Sequence, residues 1–257
     1  MSGAAGHDTP VFVFADLDDS LFNSARKCPP GVPLEPAALL KNGEVISYTN
    51  PRQRALLHWL REGATIVPVT ARSAEGFARV LVDFPGMAVV SFGGVILDAQ
   101  RQPVARWAQR MQAALAVSRE PMQQACASMS AWLVEHEIDA WVKVVEENGQ
   151  AQYLLTKHRA ADAQVLAQLA EQMLRPWAAT RPGWRVFQND NNLTLLPPGL
   201  DKSYAVAYLM AELRAQGDIV TVGIGDSLSD AGFLSLCDYA MAPQGTQLGQ
   251  RLWECLA

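Results

Sequence analysis

Apolar residues gather in short runs that stop abruptly at polar or glycine-rich segments, with helical stripes between them. The first run, Val11 to Ala15, ends at Asp16, Leu17, Asp18 and Asp19. Thr65 to Val69, Met87 to Val90 and Ile219 to Ile224 repeat the pattern, and Tyr239 to Ala242 makes a fifth candidate strand. Asn50 and Pro51 form a helix start, Leu56, Leu57 and Leu60 share one face, and Gly63 is a stop signal. Ser73 is placed to cap a helix whose stripe is Phe77, Val80 and Leu81. Lys202 opens a helix carrying Val206, Leu209, Met210 and Leu213, closed by Gly217, and Leu248, Leu252 and Leu256 mark a terminal helix. Strands alternating with helices predict a doubly wound parallel α/β sheet with its active face at the carboxyl ends of the strands.

The stretch from Arg101 to Asn192 breaks the alternation. Its order reads helix, two strands, helix, two strands: a helical segment around Trp107 to His136, then Ala140 to Glu146 and Ala151 to Lys157 joined at Asn148 and Gly149. A second helical stripe of Val165, Leu166, Leu169 and Met173 leads to Trp184 to Gln188, a polar turn at Asn189 to Asn192, and Leu193 to Leu196. This predicts an inserted α+β cap with a four-stranded antiparallel sheet, 101–192, lying over a core made of 1–100 and 193–257. Asn23 to Thr49 is a proline-rich connection with a hairpin signal at Asn42 and Gly43; a long connection beside a strand end is either functional or an ordered surface loop.

Composition narrows the partners. A net charge of −5 and a pI near 5.4 argue against a nucleic-acid binder, which needs basic residues gathered on one surface, but leave room for a small anionic substrate. Cys28, Cys126, Cys237 and Cys255 are scattered without zinc-ligand spacing, so reduced thiols are expected. The first apolar run ends at a carboxylate and is preceded by no basic stretch, so neither a signal peptide nor a membrane span is expected, and the expected location is the cytoplasm.

The strand ends carry the chemistry. Asp16 and Asp18 are two apart and fall on one side of their strand. Two like charges about 4 Å apart repel by roughly 4 kcal/mol at an effective dielectric near 20, so they call for a cation or a shared proton. The second strand ends in Thr70, Ala71 and Arg72, and the fourth in Gly225, Asp226, Ser227, Leu228, Ser229 and Asp230. A parallel sheet brings these groups together with Lys202. Four carboxylates beside one lysine fit a hard divalent cation, and Mg²⁺ best, because it takes carboxylate and phosphate oxygens and keeps several waters. Thr70 and Lys202 supply a hydroxyl and a positive charge for phosphoryl oxygens, so the site suits phosphoryl transfer.

In this order DLDDSL, the threonine of VTARS, Lys202 and GDSLSD resemble the four motifs of the haloacid dehalogenase superfamily. The position of the cap, between the second and third motifs, is similar to that of the Cof-type, sucrose-phosphatase-like branch, which includes sugar-phosphate phosphatases and phosphomannomutase. The resemblance implies a Mg²⁺-dependent phosphatase of a small phosphorylated metabolite, with a sugar phosphate as the leading class. It implies that Asp16 is the nucleophile, Asp18 the general acid and base, and Thr70 and Lys202 the phosphate holders. Asp16, the Asp18 carbonyl and Asp226 would bind the metal, with Asp230 completing or orienting its shell. Two departures stand out: Asp19 where the family usually has glycine, and Ser91, Phe92, Gly93, Gly94 where many members have asparagine and glycine.

Several residues carry two readings. Arg72 either contacts substrate or pairs with an acid at a helix start, and Asn189 either reads a sugar hydroxyl or belongs to a turn. His158, between Lys157 and Arg159, reads first as part of a solvated basic turn. Trp107, Trp132, Trp141, Trp177 and Trp184 read as core residues before sugar platforms. Gly223 and Gly225 alone are poor evidence for a dinucleotide loop. The rival functions are a sugar phosphomutase, which returns the phosphoryl group to a hydroxyl, and a non-catalytic phospho-aspartate signalling module; Asp18 and the cap argue against the latter.

Overall fold

A computed structural model describes residues 9–254. The chain runs through β1 (Val11–Ala15), β2 (Asn23–Ser24), β3 (Glu35–Leu39), β4 (Val45–Thr49), α1 (Pro51–Gly63), β5 (Ala64–Pro68), α2 (Ala74–Phe77), β6 (Ala88–Val90) and β7 (Val95–Leu97). It continues through α3 (Ala105–Leu115), α4 (Arg119–Glu135), β8 (Ala140–Glu147), β9 (Gln150–His158), α5 (Ala163–Leu169), α6 (Arg175–Ala179), β10 (Arg185–Asn189) and β11 (Asn192–Leu196). The return to the core is α7 (Lys202–Arg214), β12 (Val220–Ile224), α8 (Ala231–Leu234), β13 (Tyr239–Met241) and α9 (Gln247–Glu254).

The central sheet is parallel, in the order β13-β12-β1-β5. Ala15 stands level with Ile224 on one side and Pro68 on the other, so the chain leaves all three strands at one edge. Such a strand, buried on both faces, must be apolar throughout, which is why Val11 to Ala15 shows no alternation. Helix α1 begins where Asn50 accepts hydrogen bonds from the amides of Arg52 and Gln53, while Gln53 Oε1 accepts one from the Asn50 amide. Pro51 in the first turn costs no hydrogen bond.

The cap is an antiparallel sheet, β10-β11-β9-β8, with α4, α5 and the wide helical turn Ala170–Leu174 packed on its outer face around Met129, Leu154 and Leu169. The inner face contributes Val145, Tyr153 and Leu196 to the core cluster of Phe14, Val67 and Trp107. Cap and core thus share one apolar contact. The expected boundary at 192/193 is corrected: β11 contains it, and Leu193 to Leu195 pair with β9, so the inserted sheet extends through Leu196.

Other expectations also shift. The helix after Ser73 stops at Phe77, because Val80 turns to bridge Ala38 and the Leu81 amide donates to the Ala37 carbonyl; Leu81 is exposed. The third run does not join the parallel sheet as a full strand: β6 pairs antiparallel with β7 and meets β5's extension only at Val69 and Val89. The segment from Trp107 to His136 is two helices rather than one. The proline-rich connection is ordered as the sheet β2-β4-β3, with Gly43 (φ +86°) in the expected turn. In α9, Leu248 packs on the core but Leu252 is exposed; Leu256 and Cys255 lie outside the described residues. Cys28, Cys126 and Cys237 are free thiols. No helix among the described residues is long and apolar enough to cross a membrane.

Replacing Asn50 with alanine removes both side-chain acceptor bonds of the α1 cap. The expected loss is about 1 kcal/mol of unfolding free energy, read from urea denaturation at an unchanged m-value.

Candidate active site

Beyond β1 the buried Asp16 carboxylate lies against Lys202, whose Nζ donates to Asp16 Oδ1 and Asp230 Oδ1 at 2.7 Å each. Lys202 is positioned by its neighbour: Asp201 accepts from the Ser203 amide and caps α7, so the first residue of that helix points its side chain at the end of β1. Gly93 permits the approach, because a Cβ there would sit 2.4 Å from the Asp201 carbonyl oxygen. The loop after β12 supplies Asp226 and Asp230. Asp230 Oδ2 accepts from the amides of Asp226 (3.2 Å) and Ser227 (3.0 Å) and from the Ser227 hydroxyl (2.9 Å). A side chain at Gly225 would meet Asp230 Cβ at 2.6 Å, so the glycine serves this close packing and not a dinucleotide.

Asp16, Asp226 and Asp230 each offer an oxygen within 4.8 Å of the others, all three residues buried. When all are ionised, three carboxylates and one ammonium carry two net negative charges in a buried pocket, which a divalent cation would balance. The donors are hard oxygens and suit Mg²⁺. Both oxygens of Asp230 are committed, to Lys202 and to the Asp226 loop, so it holds the other groups in place. The Asp18 carbonyl accepts no hydrogen bond among the described residues and is open as a further oxygen donor.

Burial raises Asp16 well above the ordinary carboxylate range; Lys202 opposes this, while Asp230 and Asp226 add to it. Asp226 is pushed up to about 7 by burial first, then by Asp230 and Asp19, against Lys202 and Lys27. For Lys202 burial disfavours the charge, yet Asp16 and Asp230 win and raise its pKa.

Thr70 is buried directly beyond β5, its amide donating to the Val89 carbonyl. Its Oγ accepts from the Arg72 amide at 3.1 Å, which leaves the hydroxyl proton free to donate. The structure gives Arg72 the acid-pairing role: Nε and Nη2 grip the two Asp18 oxygens at 2.7 and 2.6 Å. Asp18 is about half exposed, unlike Asp16. Asp19 has φ +63°, the left-handed region in which glycine is cheapest, so its backbone explains the usual family residue. Its carboxylate binds Lys27, which also lies 3.7 Å from Asp190 at the tip of the β10–β11 hairpin, where Arg26 pairs too.

Asn189 lies exposed beside that turn, and its carbonyl accepts from the Asn192 side chain at 3.4 Å. Asn191 makes the tighter link, exchanging hydrogen bonds with the His158 backbone. His158 Nδ1 accepts from the Asp162 amide, as a turn residue does. Sequence reasoning missed Glu147, whose Oε1 accepts from the Ala74 amide at 2.8 Å and from the Ser91 hydroxyl, joining the cap to the core. It also missed Tyr153, which donates to the Ala71 carbonyl at 3.0 Å. No local motif marks either residue. The Ser91 departure was the one available signal.

This arrangement, carboxylates and a lysine at the carboxyl edge of a parallel sheet under an inserted antiparallel cap, defines a phosphatase of the haloacid dehalogenase type. Within that class the profile of the Sucrose-6F-phosphate phosphohydrolase family matches residues 50–240, and the chain belongs to this family of phosphoric monoester hydrolases. No curated protein matches the chain by sequence.

Solved structures share the fold. The C-terminal domain of C. albicans trehalose-6-phosphate phosphatase is 14% identical with a TM-score of 0.59, over 88% of this chain and 73% of that one. The sucrose-phosphatase from Synechocystis sp. PCC6803, solved with sucrose and phosphate, is 16% identical with a TM-score of 0.51, over 96% and 97%. Thermoplasma acidophilum 0175 is 12% identical with a TM-score of 0.51, over 96% and 98%.

A raised Asp226 binds a proton in the folded state that the unfolded chain lacks between its ordinary value of 3.8 and about 7. Folding is therefore favoured at low pH and loses that contribution as pH rises through this window. In chelator, the unfolding temperature of Asp226→Asn relative to wild type is expected to rise from pH 5 to pH 8, with Mg²⁺ recovering wild type most at pH 8. Scanning calorimetry at the two pH values reads both effects; parallel profiles for the two proteins contradict the assignment.

Proposed function

We propose that this chain is a Mg²⁺-dependent phosphatase acting on a sugar phosphate through a phosphorylated Asp16. The observation that carries the reading is the buried Asp16 carboxylate, fixed by Lys202 at 2.7 Å beside Asp226 and Asp230. The family of hydrolases to which the chain belongs supports release of phosphate rather than its return to a second hydroxyl.

Asp16 Oδ attacks phosphorus as the bond to the leaving oxygen breaks, and Asp18 gives that oxygen its proton. A water then attacks the same phosphorus, Asp18 takes the water's proton, and the Asp16–phosphorus bond breaks, releasing phosphate and restoring both acids. Splitting one displacement into two is useful because each half has a well-placed nucleophile. Lys202 and the Thr70 hydroxyl hold the phosphoryl oxygens where charge accumulates. Asp16, the Asp18 carbonyl and Asp226 would hold Mg²⁺, which when bound supplies charge neutralisation for the dianionic phosphoryl group. Arg72 places one donor on each Asp18 oxygen and so orients the carboxyl, leaving each oxygen a second lone pair for the proton it carries.

The cap excludes bulk water, held down by Glu147, Tyr153 and the Asp190 ion pairs. Phosphate release from sucrose 6-phosphate, trehalose 6-phosphate and a panel of hexose phosphates tests the reading, with and without Mg²⁺. Asp16→Asn is expected to lose at least about 10³-fold in kcat, and Asp18→Asn to lose a comparable amount with natural leaving groups. Full activity in Asp16→Asn, or an isomerised sugar phosphate without free phosphate, overturns it.

A further inference from the structure

The cap lays an unmatched positive charge over the site. On β8 and β9, the residues facing the core are set by Val145 and Tyr153, which pack into the central cluster. Lys143 and Lys157 occupy the same face, because Lys143 is paired with Leu155 and Lys157 with Trp141 in the antiparallel register. Lys143 Nζ lies 5.5 Å from the centre of the Trp141 ring. Arg185 of β10 is the third cation near this face, but Asp201 already neutralises it.

Lys157 differs from every other cation in its class. Among the described residues it is the only lysine or arginine not fully exposed that makes neither a hydrogen bond nor an ion pair. The buried Lys202 holds two carboxylates, and Arg72 grips Asp18. The charges acting on Lys157 are Asp18, Arg72 and Lys143. Asp18 makes no ion pair with it; its two oxygens each accept from Arg72 instead. Burial pushes the Lys157 ammonium down, and Arg72 and Lys143 add to this against Asp18. The Lys157 stem is half-buried while its ammonium still reaches solvent, so the charge is free to meet a ligand anion.

The position says which anion. Lys157 shares the inner face of the cap sheet with Tyr153, whose hydroxyl donates to the Ala71 carbonyl beside Thr70, so it lies on the cap side of the site. Asp18 acts on it, and in the proposed reaction Asp18 protonates the leaving oxygen. This assigns Lys157 to the cap side of the site, where the proposed reaction places the leaving group.

We propose that the substrate's leaving group carries an anionic group of its own, a carboxylate or a second phosphate, which Lys157 and Lys143 hold against the inner face of the cap. This rests on the phosphatase reading above and assigns its substrate class: an acidic phosphorylated sugar rather than a neutral one. Both anion types present oxygens to an ammonium in the same way, so matched probes separate them.

Initial rates with Mg²⁺ are compared for glucose 6-phosphate, 6-phosphogluconate, glucose 1,6-bisphosphate and p-nitrophenyl phosphate. One charged probe is expected to exceed glucose 6-phosphate in kcat/KM by about tenfold or more, the scale of one charge-assisted hydrogen bond. A preference for 6-phosphogluconate identifies the carboxylate, and one for the bisphosphate the second phosphate. Lys157→Met is expected to abolish that preference mainly through KM, and Lys157→Arg to retain it, which separates charge recognition from a folding defect. Equal kcat/KM for charged and neutral probes, or a preference that survives in Lys157→Met, overturns the proposal while the phosphatase reading stands. No phosphate from any probe, p-nitrophenyl phosphate included, overturns both.

Discussion

One ammonium group organises the catalytic edge of this protein. Lys202 Nζ is buried between Asp16 and Asp230, with 2.7 Å to each, and neither acid has water to solvate it. Removing one partner from such an arrangement costs roughly 3–5 kcal/mol, because the remaining charges stay buried and unmatched. The same contact ties together three distant parts of the chain: the end of β1, the first turn of α7 and the loop after β12. Asp230 passes the constraint on through its other oxygen, which receives the Asp226 and Ser227 amides and so shapes the loop that carries Asp226. Lys202 favours ionised Asp16 against the burial that disfavours it, and a divalent cation bound beside the acids would add to that effect.

The parallel sheet and the core motifs were legible in the sequence because they depend on local signals that survive tertiary packing. Asp16 follows an uninterrupted apolar run, Lys202 follows an N-cap aspartate, and Asp226 and Asp230 straddle a tight turn. The cap's element order was legible too, since the Asn148-Gly149 turn and the helical stripes are local features. What failed depended on partners far away. The helix after Ser73 is cut short by hydrogen bonds to β3, and β6 is diverted into a hairpin with β7 by two left-handed residues, Ser91 and Phe92. The last cap strand, Leu193 to Leu196, was legible as half of a hairpin with Trp184 to Gln188 and pairs with β9, although the division at 192/193 cut it from the sheet it joins.

The two departures from the usual family pattern have opposite physical meanings. At Asp19 the backbone still adopts the left-handed geometry that glycine serves, and aspartate tolerates it at modest cost because its short side chain bonds locally. The added carboxylate is then used: it binds Lys27, which leans toward Asp190 on the cap. At Ser91 the hydroxyl meets Glu147, so the side chain contributes a link between cap and core. Both residues act on how the cap is seated, and neither makes a hydrogen bond to Asp16, Lys202 or Asp230.

Seating matters because the cap and the core solve different electrostatic problems. The core must gather acids and then cancel their charge, and it does so with Lys202 and a set of oxygens fit for a metal. The cap must meet whatever the leaving group presents. A neutral disaccharide offers only hydroxyls, which carboxylates and amides read well; on the core-facing side of this cap the Glu147 carboxylate is taken up by Ala74 and Ser91, and the other charged side chains are Lys143, Lys157 and Arg185. Arg185 is matched by Asp201 and Lys143 rests on an indole ring, so the uncompensated charge on this face falls on Lys157. In this chain the groups around Asp16 thus rest on buried pairs in the core, whereas the cap's inner face toward the core rests on a few side chains of one sheet.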